Sequence, residues 1–339
     1  MTRSFNSSHR PAFRPRLLAP RFWPTWLLCG LIALLWLLPR RVRGWLAAGC
    51  ARGLLSFESK RRTIALTNLA TCFPDLDQAE IHALLRRHAR VQCEVYLSYG
   101  ELLFSSKRRL QGLFDVTGLE HARRASENGR GVILLMPHCA AFEMAGQRVV
   151  LINPVVSMAR LHTDNDALDW LINHMRVRFG GVVFGNQQSM VPLIKAVRDG
   201  FWMFYLPDED QRADNGEFVP FYGTPKLTIA TIGRLATACR AEVVPAMGHY
   251  CPDSRRFKLM FFPHLEAFPS GDPLRDAERM NATFERMIDL DRAQYAWTQR
   301  IFRSRPEGAA PIYPDVKRKR ARKSARAAAA ATATADSDR

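Results

Sequence analysis

Apolar residues are distributed along this chain in two textures. Short continuous runs at 132–136, 155–158, 201–206, 243–247 and 257–262 are each closed off by proline, glycine or charge, as buried strands are. Longer stretches at 78–104, 119–128, 165–178, 189–199, 227–239 and 277–290 space their apolar residues three and four apart, which predicts helices with one buried face. Alternation of the two predicts an α/β fold, a mixed central sheet flanked by helices. No internal repeat is evident.

The ends have different textures. Residues 1–21 are polar and basic, and residues 22–38 are almost wholly apolar, with Trp23, Trp26 and Trp36 spread through them and Arg40, Arg41 and Arg43 closing them off. Seventeen residues is at the short limit for crossing a bilayer, so a single span and an interfacial helix both fit, and tryptophans beside arginines favour either over a buried core helix. Residues 317–326 read KRKRARKSAR and run into an Ala/Thr tract that has no means of burying a core. The expected layout is a basic segment at 1–21, a membrane anchor at 22–43, one catalytic domain at 44–314 and a disordered tail at 315–339.

Charge and cysteine usage narrow the class. Forty-nine Lys and Arg against thirty-two Asp and Glu give a net charge of +17, a field that favours an anionic partner. The basic tail lacks the aromatic support that nucleic-acid binding would require, so acidic lipid or an acidic protein is the expected partner and nucleic acid is not. Seven cysteines without a C-x-x-C pair indicate neither a disulfide framework nor a zinc ribbon, which suits a cytosol-facing domain.

The candidate chemistry lies in residues 129–146, GRGVILLMPHCAAFEMAG, where a strand runs into Pro137 and His138 and a helical pattern resumes near Ala141. Five residues of continuous helix would turn about 500° and leave His138 and Glu143 roughly 140° apart, so His138 must occupy the turn. With Glu143 in the first helical turn, the carboxylate can fix one ring nitrogen while the other accepts a proton, the arrangement of general-base catalysis.

This stretch resembles the H-x4-D/E block of the glycerolipid acyltransferase superfamily, and in detail the late acyltransferases of lipid A biosynthesis. Residues 61–76 (RRTIALTNLATCFPDL), Val116 to Glu120, Asp164-Asn165 with Asp169 and Arg176, residues 206–210 with 216–223, and residues 294–297 with 305–308 are similar to that family's other blocks, in order. The resemblance implies transfer of a fatty acyl chain from acyl carrier protein to a hydroxyl of a Kdo-bearing lipid A precursor at the cytoplasmic face of a bacterial inner membrane, with no cofactor, no metal and no covalent acyl-enzyme. It implies His138 as general base, Glu143 as its orienting partner, and Arg160, Arg176 and Asp208, then Arg234, as positions for substrate. Another membrane lipid, such as an ornithine lipid, would satisfy the same chemistry. The sequence departs from the family pattern at Cys139-Ala140-Ala141, at Glu209 and at Thr298-Gln299.

Other readings weigh on single features. Asp208-Glu209-Asp210 after an apolar run also has the form of the D-x-D that holds a metal in many glycosyltransferases. Cys139 beside His138 raises a thiol nucleophile, against which a small buried thiol is the simpler reading. Gly129 and Gly131 precede their strand, whereas a dinucleotide fingerprint follows one. A membrane-anchored basic adaptor would use only the two ends of the chain.

Overall fold

A computed structural model describes residues 8–159, 164–185, 189–211 and 216–314. Arg160 and the basic tail at 315–339 lie outside the described residues. The elements run α1 (Trp23–Leu37), α2 (Arg40–Ser56), α3 (Lys60–Cys72), α4 (Gln78–Tyr96), α5 (Gly100–Phe104), α6 (Lys107–Gly112), β1 (Phe114–Thr117), α7 (Leu119–Glu127), β2 (Gly131–Leu135), α8 (Phe142–Val150), β3 (Val155–Ala159), α9 (Asp166–Val177), β4 (Val182–Gly185), α10 (Val191–Arg198), β5 (Trp202–Tyr205), β6 (Gly216–Phe221), β7 (Thr224–Ile229), α11 (Ile232–Cys239), β8 (Ala241–Cys251), β9 (Arg256–Phe261) and α12 (Pro273–Asp289).

Seven strands form one mixed sheet in the order β1-β9-β8-β2-β5-β3-β4, and β6 and β7 form a separate antiparallel hairpin. The pairs β2/β8, β2/β5, β3/β5 and β3/β4 are parallel, and β8 turns back on β9 antiparallel. Residues of β2 are buried on both faces, Val132 to Leu135 being wholly inaccessible, which is why the parallel strands read as continuous apolar runs. All five of the strand runs expected from the sequence are present, each within a few residues.

Two expected helices are shorter than their patterns. The stretch 78–104 opens on a capping box, in which the Glu80 amide donates to Asp77 Oδ1 at 2.8 Å and the Asp77 amide to Glu80 Oε2 at 2.8 Å. It stops at Tyr96, and α5 restarts at Gly100, where a Cβ would come within 2.5 Å of Trp36 Cβ on α1, so the chain needs glycine to pass there. The stretch 227–239 begins as β7, not as helix. Tyr222 (φ 48°) and Gly223 (φ 73°) make a turn with two left-handed residues, which suits a two-residue hairpin, and Thr224, Thr228 and Ile229 favour extended backbone.

The apolar N-terminal stretch divides at Leu38-Pro39, where the pre-proline residue is extended (ψ 144°). Pro20–Leu37 is long and apolar enough to cross a membrane, with 11% of that window buried. Both ends of α1 are tied to the domain: Asn165 donates to Thr25 Oγ1 at 3.0 Å and Trp26 lies against Trp170, while Trp36 Nε1 donates to Glu101 Oε2 and Ser105 Oγ, each at 3.1 Å. The stretch 22–43 runs on into a second helix, α2, whose stripe of Arg43, Ala47 and Ala51 packs on α4.

Glu101 is the hub of that junction. Buried to 1% exposure, it accepts from Arg43 at 2.8 Å, from Arg109 at 2.9 and 3.1 Å, and from Ser105. Burial alone would raise its pKa, but the hydrogen bonds from Arg109, Ser105 and Arg43 outweigh it and hold the carboxyl down at about 2. Glu101→Ala should therefore cost about 3–5 kcal/mol, because it strands a buried guanidinium, and denaturant unfolding checks this. Since the folded-state pKa is depressed from 4.5, Glu101 contributes stability above pH 4.5 that is lost as pH falls towards 2, and Glu101→Ala should show a correspondingly weaker acid dependence.

Candidate active site

Two adjacent parallel strands build the centre. Leu135 of β2 is in register with Tyr205 of β5, and the Met136 amide extends the pairing to the Tyr205 carbonyl at 3.0 Å. Both strands then meet a proline, Pro137 and Pro207, so the ladder ends and the next side chains, His138 and Asp208, emerge opposite each other at the carboxyl ends of the strands. His138 Nδ1 lies 2.6 Å from Asp208 Oδ1, and the His138 backbone N–H donates to Asp208 Oδ2 at 2.9 Å. Ring and main chain of one residue are thus gripped by one carboxylate. From the other side, the Ala140 amide donates to the Gln294 carbonyl (2.7 Å) and the Ala296 amide to the His138 carbonyl (2.8 Å), so the 294–297 segment braces the turn.

A carboxylate only accepts, so Nδ1 carries the proton and Nε2 of the neutral ring is left with its lone pair. Burial would lower the His138 pKa, but attraction to Asp208, with help from Glu209 and Glu143, more than offsets this and the group is raised above its ordinary 6.5. Glu209 Oε1 is 3.8 Å from Nε2. Asp208 is wholly buried; desolvation pushes its pKa up, and His138 and Lys226 bring it below the ordinary value.

Lys226 is the site residue that the sequence did not disclose. It is fully buried in β7, where desolvation pushes its ammonium down to about 8 while Asp208 and Asp210 act in the opposite sense. Asp210 in turn accepts from Ser304 N (2.5 Å) and Oγ (2.9 Å). A lysine in a hairpin gives no sign in sequence that it will be wholly enclosed beside carboxylates eighteen and sixteen positions earlier.

Glu143 does not touch the His138 ring nitrogen that Asp208 holds. Its carboxylate faces Arg176 on the last turn of α9, with Nε at 3.1 and 3.2 Å from the two oxygens and Nη2 also bonded to Oε1. The expectation that Glu143 orients the imidazole is corrected: that contact belongs to Asp208, because register across the sheet outranks proximity along the chain. Likewise Asp208 bonds the histidine and Arg176 is paired, so neither presents a free charge to a ligand. Arg234 is exposed on α11 and does not line the central cavity. Of the D-x-D carboxylates, Asp208 is directed to His138 and Asp210 to Ser304. Cys139 is buried, and desolvation raises its thiol to about 12, which suits a packing residue.

His138, Glu143, Arg176 and Glu209 are the ionisable acidic and basic side chains lining a cavity of about 690 Å³ whose walls are largely apolar, with Phe142, Val150, Met158, Val182, Leu193 and Phe204 among them. Helix α8 lies close against the sheet where β8 carries Gly248, at which a Cβ would stand 2.7 Å from that of Ala145 and 2.9 Å from the Ala141 carbonyl oxygen. The other sequence blocks serve as braces: Asn68 donates to the carbonyls of Trp297 and Gln299, both at 2.7 Å, and Asn165 caps α9 through the Leu168 amide at 3.0 Å.

Residues 10–304 match the family model described as "Bacterial lipid A biosynthesis acyltransferase". The chain belongs to that family. It is 32% identical over 294 residues to a lipid A biosynthesis acyltransferase of Haemophilus influenzae (86% of this chain, 91% of the other). It is 31% identical over 314 residues to the lipid A biosynthesis myristoyltransferase of Escherichia coli (92% and 97%), and 29% over 307 residues to the lauroyltransferase of the same organism (89% and 99%). A solved 1-acyl-sn-glycerophosphate acyltransferase from Thermotoga maritima aligns with 75% of this chain and 100% of its own at 15% identity and a TM-score of 0.34, too distant to bear on the assignment. As a lipid A acyltransferase family member the protein is a transferase, and the adaptor reading falls.

In this acyltransferase the imidazole titration should depend on the β5 carboxylate. Nuclear magnetic resonance of histidine-labelled protein should place the His138 pKa above 6.5, and Asp208→Asn should bring it below, since burial persists and the attraction is gone. An unchanged titration in Asp208→Asn would mean that the 2.6 Å contact does not govern the ring.

Proposed function

We propose that this protein transfers a fatty acyl chain from acyl carrier protein to a hydroxyl of a Kdo-bearing lipid A precursor, with His138 as general base and Asp208 as the residue that fixes its tautomer. The observation that carries the reading is the His138 Nδ1–Asp208 contact of 2.6 Å at the edge of a 690 Å³ apolar cavity. The acceptor hydroxyl gives its proton to Nε2, and its oxygen attacks the thioester carbonyl. Collapse of the tetrahedral intermediate breaks the carbon–sulfur bond, and the carrier thiolate takes the proton back from the imidazolium, which Asp208 has stabilised in the interval. The cavity houses the acyl chain. Its volume falls within the roughly 300–1,000 Å³ of small-molecule sites, and its apolar walls match the hydrocarbon.

Three further assignments belong to this reading. The net charge of +17 suits an acidic carrier protein, whose approach complementary charge would steer. The Glu143–Arg176 pair forms the polar rim, and with Arg160 it is our choice for contact with the precursor's phosphates or carboxylates, which requires Arg176 to exchange its partner when substrate enters. Helix α1 seats the protein on the cytoplasmic face of the inner membrane, where the acceptor lipid lies.

The test is mass spectrometry of a tetra-acylated, Kdo-bearing lipid A precursor incubated with acyl carrier protein charged with mixed chains. Wild type should add one acyl group, and His138→Ala should reduce the rate by roughly 10²–10⁴-fold. kcat/KM should fall as pH drops below the raised His138 pKa, because only the neutral ring is a base. Failure of folded wild-type protein to add any chain to this acceptor would overturn the assignment.

A further inference from the structure

Another cavity, of about 480 Å³, is lined by residues of α2, α3 and α4. Arg52 of α2, Arg62 of α3, and His82, Arg86 and Arg90 of α4 converge on it over a floor of alanine and leucine side chains. None of the described residues lining it is acidic; Arg90 alone bonds a nearby carboxylate, Glu94 at 2.8 Å. The Arg62 Nε is buried and has no hydrogen-bond partner among the described residues. A buried guanidinium donor left unmade is costly, and several guanidinium forks gathered around one hollow match the oxygens of a phosphate.

The hollow adjoins a surface of a particular kind. On α2 and the residue after it, Trp45 (71% exposed), Leu46, Leu54 and Phe57 (72% exposed) project away from the protein. Through Pro39 this surface continues into α1, which exposes Leu27, Leu31, Leu34 and Leu37. Exposed tryptophan and leucine beside a basic hollow with an apolar floor is the chemistry of the membrane interface, where hydrocarbon ends and headgroups begin.

We propose that this hollow is a binding site for the phosphate headgroup of an anionic phospholipid, with Arg62 and Arg86 as its principal contacts and α2 lying in the interface plane. The site would fix the depth and rotation of the catalytic domain on the membrane. The inference rests on the membrane-facing part of the preceding proposal but not on its chemistry, and its assay reads lipid binding alone, so the two fail separately.

The full-length protein in mild detergent is titrated with phosphatidylglycerol or with phosphatidylcholine of the same chains, and native mass spectrometry counts the lipid retained. Wild type should hold one phosphatidylglycerol in preference to phosphatidylcholine. Arg62→Gln/Arg86→Gln, shown folded by circular dichroism, should lose that preference by about tenfold or more, in keeping with the contribution of individual arginines near an anionic headgroup. The charge-matched Arg123→Gln/Arg124→Gln on α7 should keep it. Three results would overturn the proposal. The first is equal loss in the α7 variant, which would mean attraction to net charge alone. The second is displacement of the lipid by inorganic phosphate at equal concentration, which would make it a free-anion site. The third is unchanged lipid retention in Arg62→Gln/Arg86→Gln with loss of acyl carrier protein binding, which would give the hollow to the acidic protein.

Discussion

Everything at the candidate active site depends on the parallel pairing of β2 with β5. Leu135 faces Tyr205, and three residues later, past a proline on each strand, His138 faces Asp208. One carboxylate then meets both the ring and the backbone N–H of the histidine, so the position of the imidazole is set by the sheet and not by a flexible loop. A slip of one residue in that pairing would send one of the two side chains to the opposite face. The buried runs on either side, with β8 on one flank of β2 and β3 on the far flank of β5, are what make such a slip prohibitive.

Placing an ionised aspartate at full burial carries its own requirement. Desolvation penalises Asp208, and the penalty is tolerable only because cations share the space. His138 supplies attraction when protonated, and Lys226 supplies it throughout, at the cost of its own depressed pKa of about 8. The hairpin β6–β7, though separate from the main sheet, therefore contributes to the site: it brings a buried ammonium close enough to act on Asp208. Asp210, anchored by Ser304, balances that ammonium in turn. The arrangement raises the proton affinity of His138 while its geometry stays fixed, which suits the general-base role proposed for it.

How much of this was legible in the sequence follows from the range of each interaction. Strands buried on both faces announce themselves as apolar runs, and all five such runs are strands; β4, β6 and β7 are short, or alternate, or contain proline, and give weaker patterns. The placement of His138 in a turn followed from helical geometry alone. Its partner did not, because Glu143 is near in sequence and Asp208 is near only once β5 has been inserted between β2 and β3, a crossing that no local pattern reports. Lys226 was invisible for the same reason. The blocks at 61–76 and 294–308 could be matched as a pattern, but their physical role, in which Asn68 ties both ends of the domain together, appears only in three dimensions.

The position of Glu209 bears on how the cycle runs. Its carboxylate lies 3.8 Å from Nε2, the imidazole nitrogen that Asp208 does not hold, and so on the side where the proposed mechanism brings in the acceptor hydroxyl. Unlike Asp208 it is substantially exposed, at 41%, so water screens its pull on the ring and little cost attaches to moving it aside. On the proposed mechanism the incoming hydroxyl takes its place beside Nε2, whereas Asp208, enclosed and bonded twice to His138, stays where it is. The two carboxylates flanking one histidine are thus separated by burial into an enclosed partner and an exposed one, and on the proposed mechanism that difference leaves one side of the ring open to substrate while the other is held.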